Sequence, residues 1–443
     1  MTDLEHAGAV RTAPWASPDA RARLARVEQE LAGDLAAALD TAAAAARAHA
    51  RRIDEDALLL YAGGNVPTPQ ARSLHEQALS GQPSMGYPGD KYQAGLEALD
   101  VVEVAVARAV AEVMGARFAE VRPTSATLAN LAVYTALTSP GDTIAVLPAW
   151  AGGHLSHHEV GAPGVRGLRV VELPYDVAML DVDVERLGAL LERERPALVV
   201  VGASLMLHPH RLREIADRVH GSGALLLYDA SHVAGLIAEG RFQAPLHEGA
   251  DVVTFSTYKS FGGPAGGAIV ADDAALMERI AAAVYPGLTA NYDIARLLPL
   301  GAAAVGHGRS AGDYADRCLA NAAALAGGLA GEGLAVLGGE RGFTSSHHVA
   351  VDVRGSGGGT VAARRLAEVN VLLSEIGCPA ADAPDPAGAI RIGTQSITRQ
   401  GFEPADMPAI AAALAAGLRD DRDEQALRAE VAAIRRRHPP APC

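Results

Sequence analysis

Between Leu96 and Leu300, short runs of aliphatic and β-branched residues alternate with helical stretches. The runs are Thr143-Ile-Ala-Val-Leu147, Leu168-Arg-Val-Val-Glu-Leu173, Ala197-Leu-Val-Val-Val201, Ala224-Leu-Leu-Leu-Tyr228, Asp251-Val-Val-Thr-Phe255 and Gly267-Ala-Ile-Val270. Several are nearly continuous in apolar residues, as expected of strands covered on both faces. Where a helical segment separates two runs, the chain has to cross over before the next strand, which predicts a mainly parallel sheet. Aromatic residues make up 4% of the chain against 49% hydrophobic, so Ala, Val and Leu must fill the core. That composition suits helices packed on a sheet, and the expected fold class is α/β.

A chain of 443 residues exceeds one compact core. From Pro18 to Ile53 it is rich in Ala, Arg, Leu and Glu with few breakers, which predicts one or two helices. Turn residues then interrupt the pattern at Tyr61-Ala-Gly-Gly-Asn-Val-Pro-Thr-Pro69 and again between Gly81 and Gly95. After Leu300 an Ala/Leu helical pattern resumes, with strand candidates at His348–Asp352 and Ala389–Ile392. The expected division is an N-terminal helical arm (1–60), a large domain (61–300) and a smaller C-terminal α/β domain (301–443).

The formal charge of −14 argues against nucleic acid as a partner, because phosphate backbones are bound by clustered Lys and Arg. Cys318, Cys378 and Cys443 are widely separated and show no metal-ligand spacing, so no metal is expected and a reduced, cytoplasmic protein is the simpler reading. The first residues lack a basic segment followed by an apolar one, and no stretch approaches the roughly 18 to 20 apolar residues that span a bilayer. Secretion and membrane insertion are not expected.

Asp229 ends one apolar run, and Lys259 follows another, thirty positions later, in Thr254-Phe-Ser-Thr-Tyr-Lys-Ser-Phe-Gly-Gly-Pro-Ala-Gly-Gly267. Singly, a lysine after a strand reads as a solvated loop charge, and an aspartate there as a turn former or cap. Together, past the ends of two strands, they stand where open parallel sheets gather ligand-binding groups. A lysine that can form a Schiff base and a carboxylate that can keep a pyridinium nitrogen protonated read as a site for pyridoxal phosphate (PLP).

Thr124-Ser-Ala-Thr-Leu-Ala-Asn130 opens a helical stretch; beside such a pair, Ser125, the Ala126 N–H and Thr127 become phosphate-binding candidates as well as ordinary capping residues. His154, in Ala151-Gly-Gly-His-Leu-Ser-His157, can approach a flat ligand closely from its glycine-rich loop. His232 follows Asp229 by three residues, within reach of the PLP phenolic oxygen or the substrate. Arg391 lies inside an expected strand, where a buried guanidinium needs an anionic partner. The carboxylate of an amino acid substrate fits that need, and so would an internal Asp or Glu.

These pieces, in this order, resemble the serine hydroxymethyltransferase family of fold-type I (aspartate aminotransferase-like) PLP enzymes. The resemblance runs over about Leu58 to Leu418 and is carried by Gly86-Tyr-Pro-Gly89, Ala129–Leu137, Gly152-Gly-His-Leu155, His232-Val-Ala-Gly-Leu236, the Lys259 loop and Arg391–Thr394 with Ile397-Thr-Arg399. It implies Lys259 as the Schiff-base lysine, Asp229 on the pyridine nitrogen and His154 stacked on the ring. It further implies Ser204 and His232 near the phenolic oxygen, Ser125 to Thr127 on the phosphate, Arg391 on the substrate carboxylate, and a homodimer. Tyr258, His232 and His154 stand as the groups that could move protons.

The sequence also departs from the family pattern. Pro83-Ser-Met85 replaces Tyr-Ala-Glu, Gly63-Gly64 replaces Ser-Glu, and Gln93 stands in place of a tyrosine. Tyr258 replaces a histidine, Ala265 an arginine, and Tyr285–Tyr292 a glycine-rich segment. The lost glutamate is the family's acid/base group toward folate, so the leading expectation is folate-independent aldol or transaldol chemistry at the amino acid Cα, in specialised metabolism. An alternative is oxidative decarboxylation, similar to the oxygen-using monooxygenase-decarboxylase of nucleoside-antibiotic biosynthesis. Folate-dependent hydroxymethyl transfer and a non-catalytic descendant are the remaining readings.

Overall fold

A computed structural model describes residues 15–31, 34–379, 384–419 and 421–439. Residues 1–14, the start of the expected arm, and Cys443 lie outside the described residues. The chain forms two compact units, Met1–Ala57 and Leu58–Cys443. In the first, the helical reading resolves into Pro18–Glu30 and Leu35–Arg51. Ser17 caps one helix by accepting the Ala20 N–H, with Pro18 at the first position, and Asp34 caps the other through the Ala37 N–H. Each cap satisfies an otherwise unpaired N–H, an interaction of about 1 kcal/mol.

The second unit is built on a seven-stranded sheet. From one edge its strands are Phe118–Glu120, Gly267–Ala271, Val252–Ser256, Leu225–Asp229, Leu198–Val201, Thr143–Val146 and Arg169–Glu172. The five from Val252–Ser256 onward pair in parallel, while Gly267–Ala271 is antiparallel to both its neighbours. All six expected strands are present, and the fold is α/β with a mainly parallel sheet. Phe118–Glu120 spans only three residues, too short a run to be read from sequence.

Strand parity decides which face each side chain serves. Leu226, Tyr228, Val253, Phe255, Val199 and Val201 enter one apolar layer, whereas Leu227, Val252, Leu198, Val200, Ile144 and Val146 enter the other. The Ala126–Leu137 helix contributes Ala129 and Val133 to that second layer. Asp229 has the parity of Leu225 and Leu227, so its carboxylate is delivered to the same helix. Each fully buried Val or Leu in these layers contributes about 1.5–3 kcal/mol.

A second, antiparallel sheet has Asp385–Gly393 between His348–Asp352 and Ser374–Cys378. Its core includes Leu325 and Leu329 of the Asp313–Gly331 helix and Ile410 and Leu414 of Met407–Leu418. Leu58 and Leu60, expected in the N-terminal arm, join this core, and Leu58–Leu59 pairs in parallel with Val371–Leu372. Cys318 and Cys378 are buried free thiols. Among the described residues no helix is long and apolar enough to cross a membrane, and no cluster of potential metal ligands occurs.

Candidate active site

The carboxyl ends of the parallel strands and the start of the Ala126–Leu137 helix enclose one pocket. Ser125, Ala126, Thr127, His154, Ser204, Asp229, His232, Tyr258 and Lys259 all line it. Glycines permit this closeness. Gly202, at φ +97°, has no room for a Cβ, which would stand 2.1 Å from the Asp229 carbonyl oxygen. A Cβ on Gly267 would stand 2.3 Å from the Ser125 carbonyl oxygen.

Asp229 is buried, and both its carboxylate oxygens accept hydrogen bonds. Oδ2 accepts from His157 Nε2 at 2.8 Å and from Asn130 Nδ2 at 3.1 Å, and Oδ1 accepts the Ser231 N–H at 2.8 Å. Burial alone would raise the carboxyl pKa, but the His157 interaction, the Ser231 N–H and the charge of Lys259 hold it well below the ordinary range. The Tyr134 hydroxyl, whose pKa is raised by burial, stands 2.5 Å from His157 Nδ1 and donates to it. His157 therefore carries its proton on Nε2 and presents it to Asp229. Thr254 Oγ1 donates to Asn130 Oδ1 at 2.6 Å, turning the amide nitrogen toward the same carboxylate.

Lys259 is almost fully buried, and burial lowers its pKa to about 8, with Asp229 opposing and Arg391 reinforcing the shift. Its Nζ lies 3.1 Å from His232 Nε2, and Arg391 Nη1 lies 3.4 Å from the same nitrogen. Arginine can only donate, so Nε2 is the acceptor and the His232 proton sits on Nδ1. Burial first, then Lys259 and Arg391, push the His232 pKa well below its usual value and leave the ring neutral. Burial and Lys259 also lower His154 to about 4. The Ser156 N–H donates to its Nδ1 at 3.1 Å.

Ser125 is the N-cap of the Ala126–Leu137 helix, its Oγ accepting the Leu128 N–H at 3.1 Å. The N–H groups of Ala126 and Thr127, in the first helical turn, have no intrahelical acceptor, and the helix dipole favours an anion there. Tyr258 is 36% exposed, and Thr127 is exposed as well. Arg391 is buried, lies on the central strand of the small sheet and donates to the Ser204 carbonyl and, at 3.1 Å, to Ser374 Oγ. Among the described residues no Asp or Glu forms an ion pair with it, so the internal-carboxylate alternative is absent. Its pKa, lowered by burial to about 10, leaves it cationic at neutral pH.

Sequence reasoning assigned no role to His157, Asn130, Ser231 or Asn65. His157 stood in a quoted motif, but its position gives no hint of a partner 72 residues away. Asn130 could have been suspected as a polar residue on an apolar helix. Of the departures from the family pattern, Tyr258 lines the pocket, while Met85, Gln93 and Ala265 are not among the lining residues. Two departing segments meet on one buried carboxylate. Glu103 accepts from Ser84 Oγ at 2.9 Å and from the Tyr292 hydroxyl, and pairs with Lys91 Nζ; Asn291 Oδ1 accepts the Ser84 N–H at 2.9 Å.

The donor set fits PLP: an anion-favouring helix terminus, a carboxylate held ionised, and a buried amine of lowered pKa share one pocket. PLP, when bound, withdraws the electrons released at an amino acid Cα into its protonated ring.

Comparison with known proteins agrees. A family model described as serine hydroxymethyltransferase matches residues 38–414. An alpha-methylserine aldolase of Variovorax paradoxus is 43% identical over 94% of both chains. A serine hydroxymethyltransferase of Methanopyrus kandleri is 42% identical over 86% of this chain and 89% of its own length. Among solved structures, an L-threonine transaldolase from Pseudomonas fluorescens, in its internal aldimine state, superposes with a TM-score of 0.83 at 25% identity over 94% of both chains. With the family model spanning most of its length and full-length relatives above 40% identity, this chain belongs to the serine hydroxymethyltransferase family and is a PLP-dependent enzyme.

Proposed function

We propose that this enzyme cleaves or exchanges the Cα–Cβ bond of a β-hydroxy amino acid without folate, with an α-substituted serine as its substrate class. The observation that carries the reading is Arg391, a buried guanidinium with no ion-paired carboxylate among the described residues, 3.4 Å from the histidine that Lys259 also contacts. A substrate carboxylate would supply the missing anion and fix the amino group toward Lys259. Asp229 would hold the cofactor nitrogen protonated, His154 would lie on the ring, and Ser125, Ala126 and Thr127 would hold the phosphate. Ser204 and His232 would border the phenolic oxygen.

In the cleavage direction the β-hydroxyl loses its proton, the Cα–Cβ bond breaks, and an aldehyde leaves while Cα gains a proton. The step is redox-neutral and needs no oxidant. Neutral His232, with Nε2 as acceptor, and Tyr258 are the groups proposed to move these protons, with His154 the third. Relatives named for aldol and hydroxymethyl-transfer chemistry favour this reading over the oxygen-using one.

Incubation of the holoenzyme with α-methylserine should release formaldehyde and alanine in equal amounts, at a rate unaffected by added tetrahydrofolate. Turnover that requires tetrahydrofolate, or none with any β-hydroxy amino acid tried, would overturn the proposal. We further propose a homodimer, supported by the Glu97–Val113 helix, whose Val101 and Val104 are 68% and 55% exposed and line a groove of about 630 Å³. Light scattering would give twice the chain mass of 45.5 kDa.

A further inference from the structure

Asn65 does not line the pocket, yet its side chain reaches the main chain of the lysine loop. Its Oδ1 accepts the Val66 N–H at 2.8 Å, which fixes the amide so that Nδ2 faces away from its own loop. Nδ2 donates to the Lys259 carbonyl at 3.0 Å, with Ser260 O at 3.4 Å, and to the Tyr314 hydroxyl at 3.0 Å. The Tyr314 hydroxyl in turn donates to the Gln395 carbonyl at 3.0 Å. Gln395, fully buried, donates through Nε2 to the carbonyls of Tyr61 at 2.9 Å and Gly64 at 2.7 Å. The circuit closes on the loop that carries Asn65.

Gln395 lies two residues beyond the end of Asp385–Gly393, the strand that carries Arg391. One polar ring therefore joins the Lys259 main chain to the end of the Arg391 strand. Arg399 braces it: its guanidinium lies 4.3 Å from the Tyr314 ring centre and would stand 2.7 Å from a Cβ on Gly262 of the lysine loop. The Asn65 amide, the Tyr314 hydroxyl and Gln395 Nε2 are all matched in the ring, Gln395 Oε1 alone lacking a partner among the described residues, so removing one of the matched atoms leaves a further buried group unpaired.

We propose that Asn65, Tyr314 and Gln395 are positioning residues that hold Lys259 and Arg391 at a fixed separation, so that one amino acid is gripped by its amino and carboxylate ends at once. The proposal rests on the reading of Arg391 as the substrate-carboxylate site. Its consequence is selective. A ligand held at both ends senses the separation, whereas an amine without a carboxylate engages Lys259 alone.

The test mixes holoenzyme with alanine or with ethylamine and follows the loss of the lysine-bound cofactor absorbance. Wild type should react faster with alanine. Tyr314→Phe keeps the ring under Arg399 and removes only the hydroxyl; it should slow the alanine reaction by about tenfold or more and the ethylamine reaction by less than about twofold. Asn65→Ala should give the same split if Tyr314→Phe fails to fold. Equal slowing of both amines, or of neither, while wild type still prefers alanine, overturns the latch and leaves the carboxylate site standing. A wild type indifferent to the carboxylate overturns both.

Discussion

Lys259 Nζ stands 3.1 Å from Nε2 of His232, inside a pocket where both side chains are buried. A neutral imidazole beside a lysine of lowered pKa gives the amine an acceptor for its proton, which the Schiff-base role proposed for Lys259 requires.

The amine pKa of about 8 makes cofactor uptake depend on pH. At pH 7 about one Lys259 in ten is unprotonated, against about one in three thousand for an ordinary lysine. The rate at which the apo-protein gains the lysine-bound absorbance should rise about tenfold per unit below pH 8 and level off above it. The folded pKa lies below the unfolded one, so the unfolded chain binds more protons between the two. Apo-protein stability should therefore rise with pH from about 8 to 10.5. A flat uptake profile from pH 6 to 10 would contradict the assignment.

His157 is expected to act through Asp229. Replacing it with Phe removes the hydrogen bond that holds the Asp229 carboxyl low, so the carboxyl pKa rises. The acidic limb of the kcat/KM profile should move to higher pH by about one unit. Asp229→Asn removes the charge itself and should lower kcat/KM by about 10²-fold or more at every pH. An unchanged acidic limb in His157→Phe would show that the imidazole is only packing.

Arg391→Lys keeps the charge but loses the planar pair of donors. KM for the amino acid should rise about 10- to 100-fold, with cofactor content unchanged by absorbance. A variant with wild-type KM would mean that the carboxylate binds elsewhere.

Glu103 ties the loop at Ser84 to the segment at Tyr292, and its partner Lys91 is as buried as itself. Glu103→Ala leaves that ammonium with only Asp100, 4.0 Å away, as a counter-charge and should lower stability by up to about 3–5 kcal/mol in urea denaturation. Glu103→Gln, which keeps hydrogen-bonding capacity, should lose less. Equal stability of Glu103→Ala and wild type would show that the Lys91 charge is met by Asp100 or solvent.

Much of this was legible along the chain. The buried strands could be read because a strand covered on both faces needs a local run of apolar residues, and that run ends where Asp229 and Lys259 begin their work. The Ser125 cap was readable for the same reason: one side chain serves N–H groups two or three residues away. Short elements escaped, since Phe118–Glu120 and Leu58–Leu59 form only through pairing with distant strands.

The sequence by itself determined the sheet, the helix that begins at the pocket and the two residues that mark a cofactor site, all consequences of backbone periodicity and neighbouring side chains. Tertiary structure alone decided that Arg391 meets no carboxylate among the described residues, that His157 holds Asp229 and that Asn65 reaches Lys259. Those contacts join residues 72 to 194 positions apart or depend on everything packed around a guanidinium. Hydrogen-bond geometry over such separations is set by how whole elements pack, and no local pattern carries it.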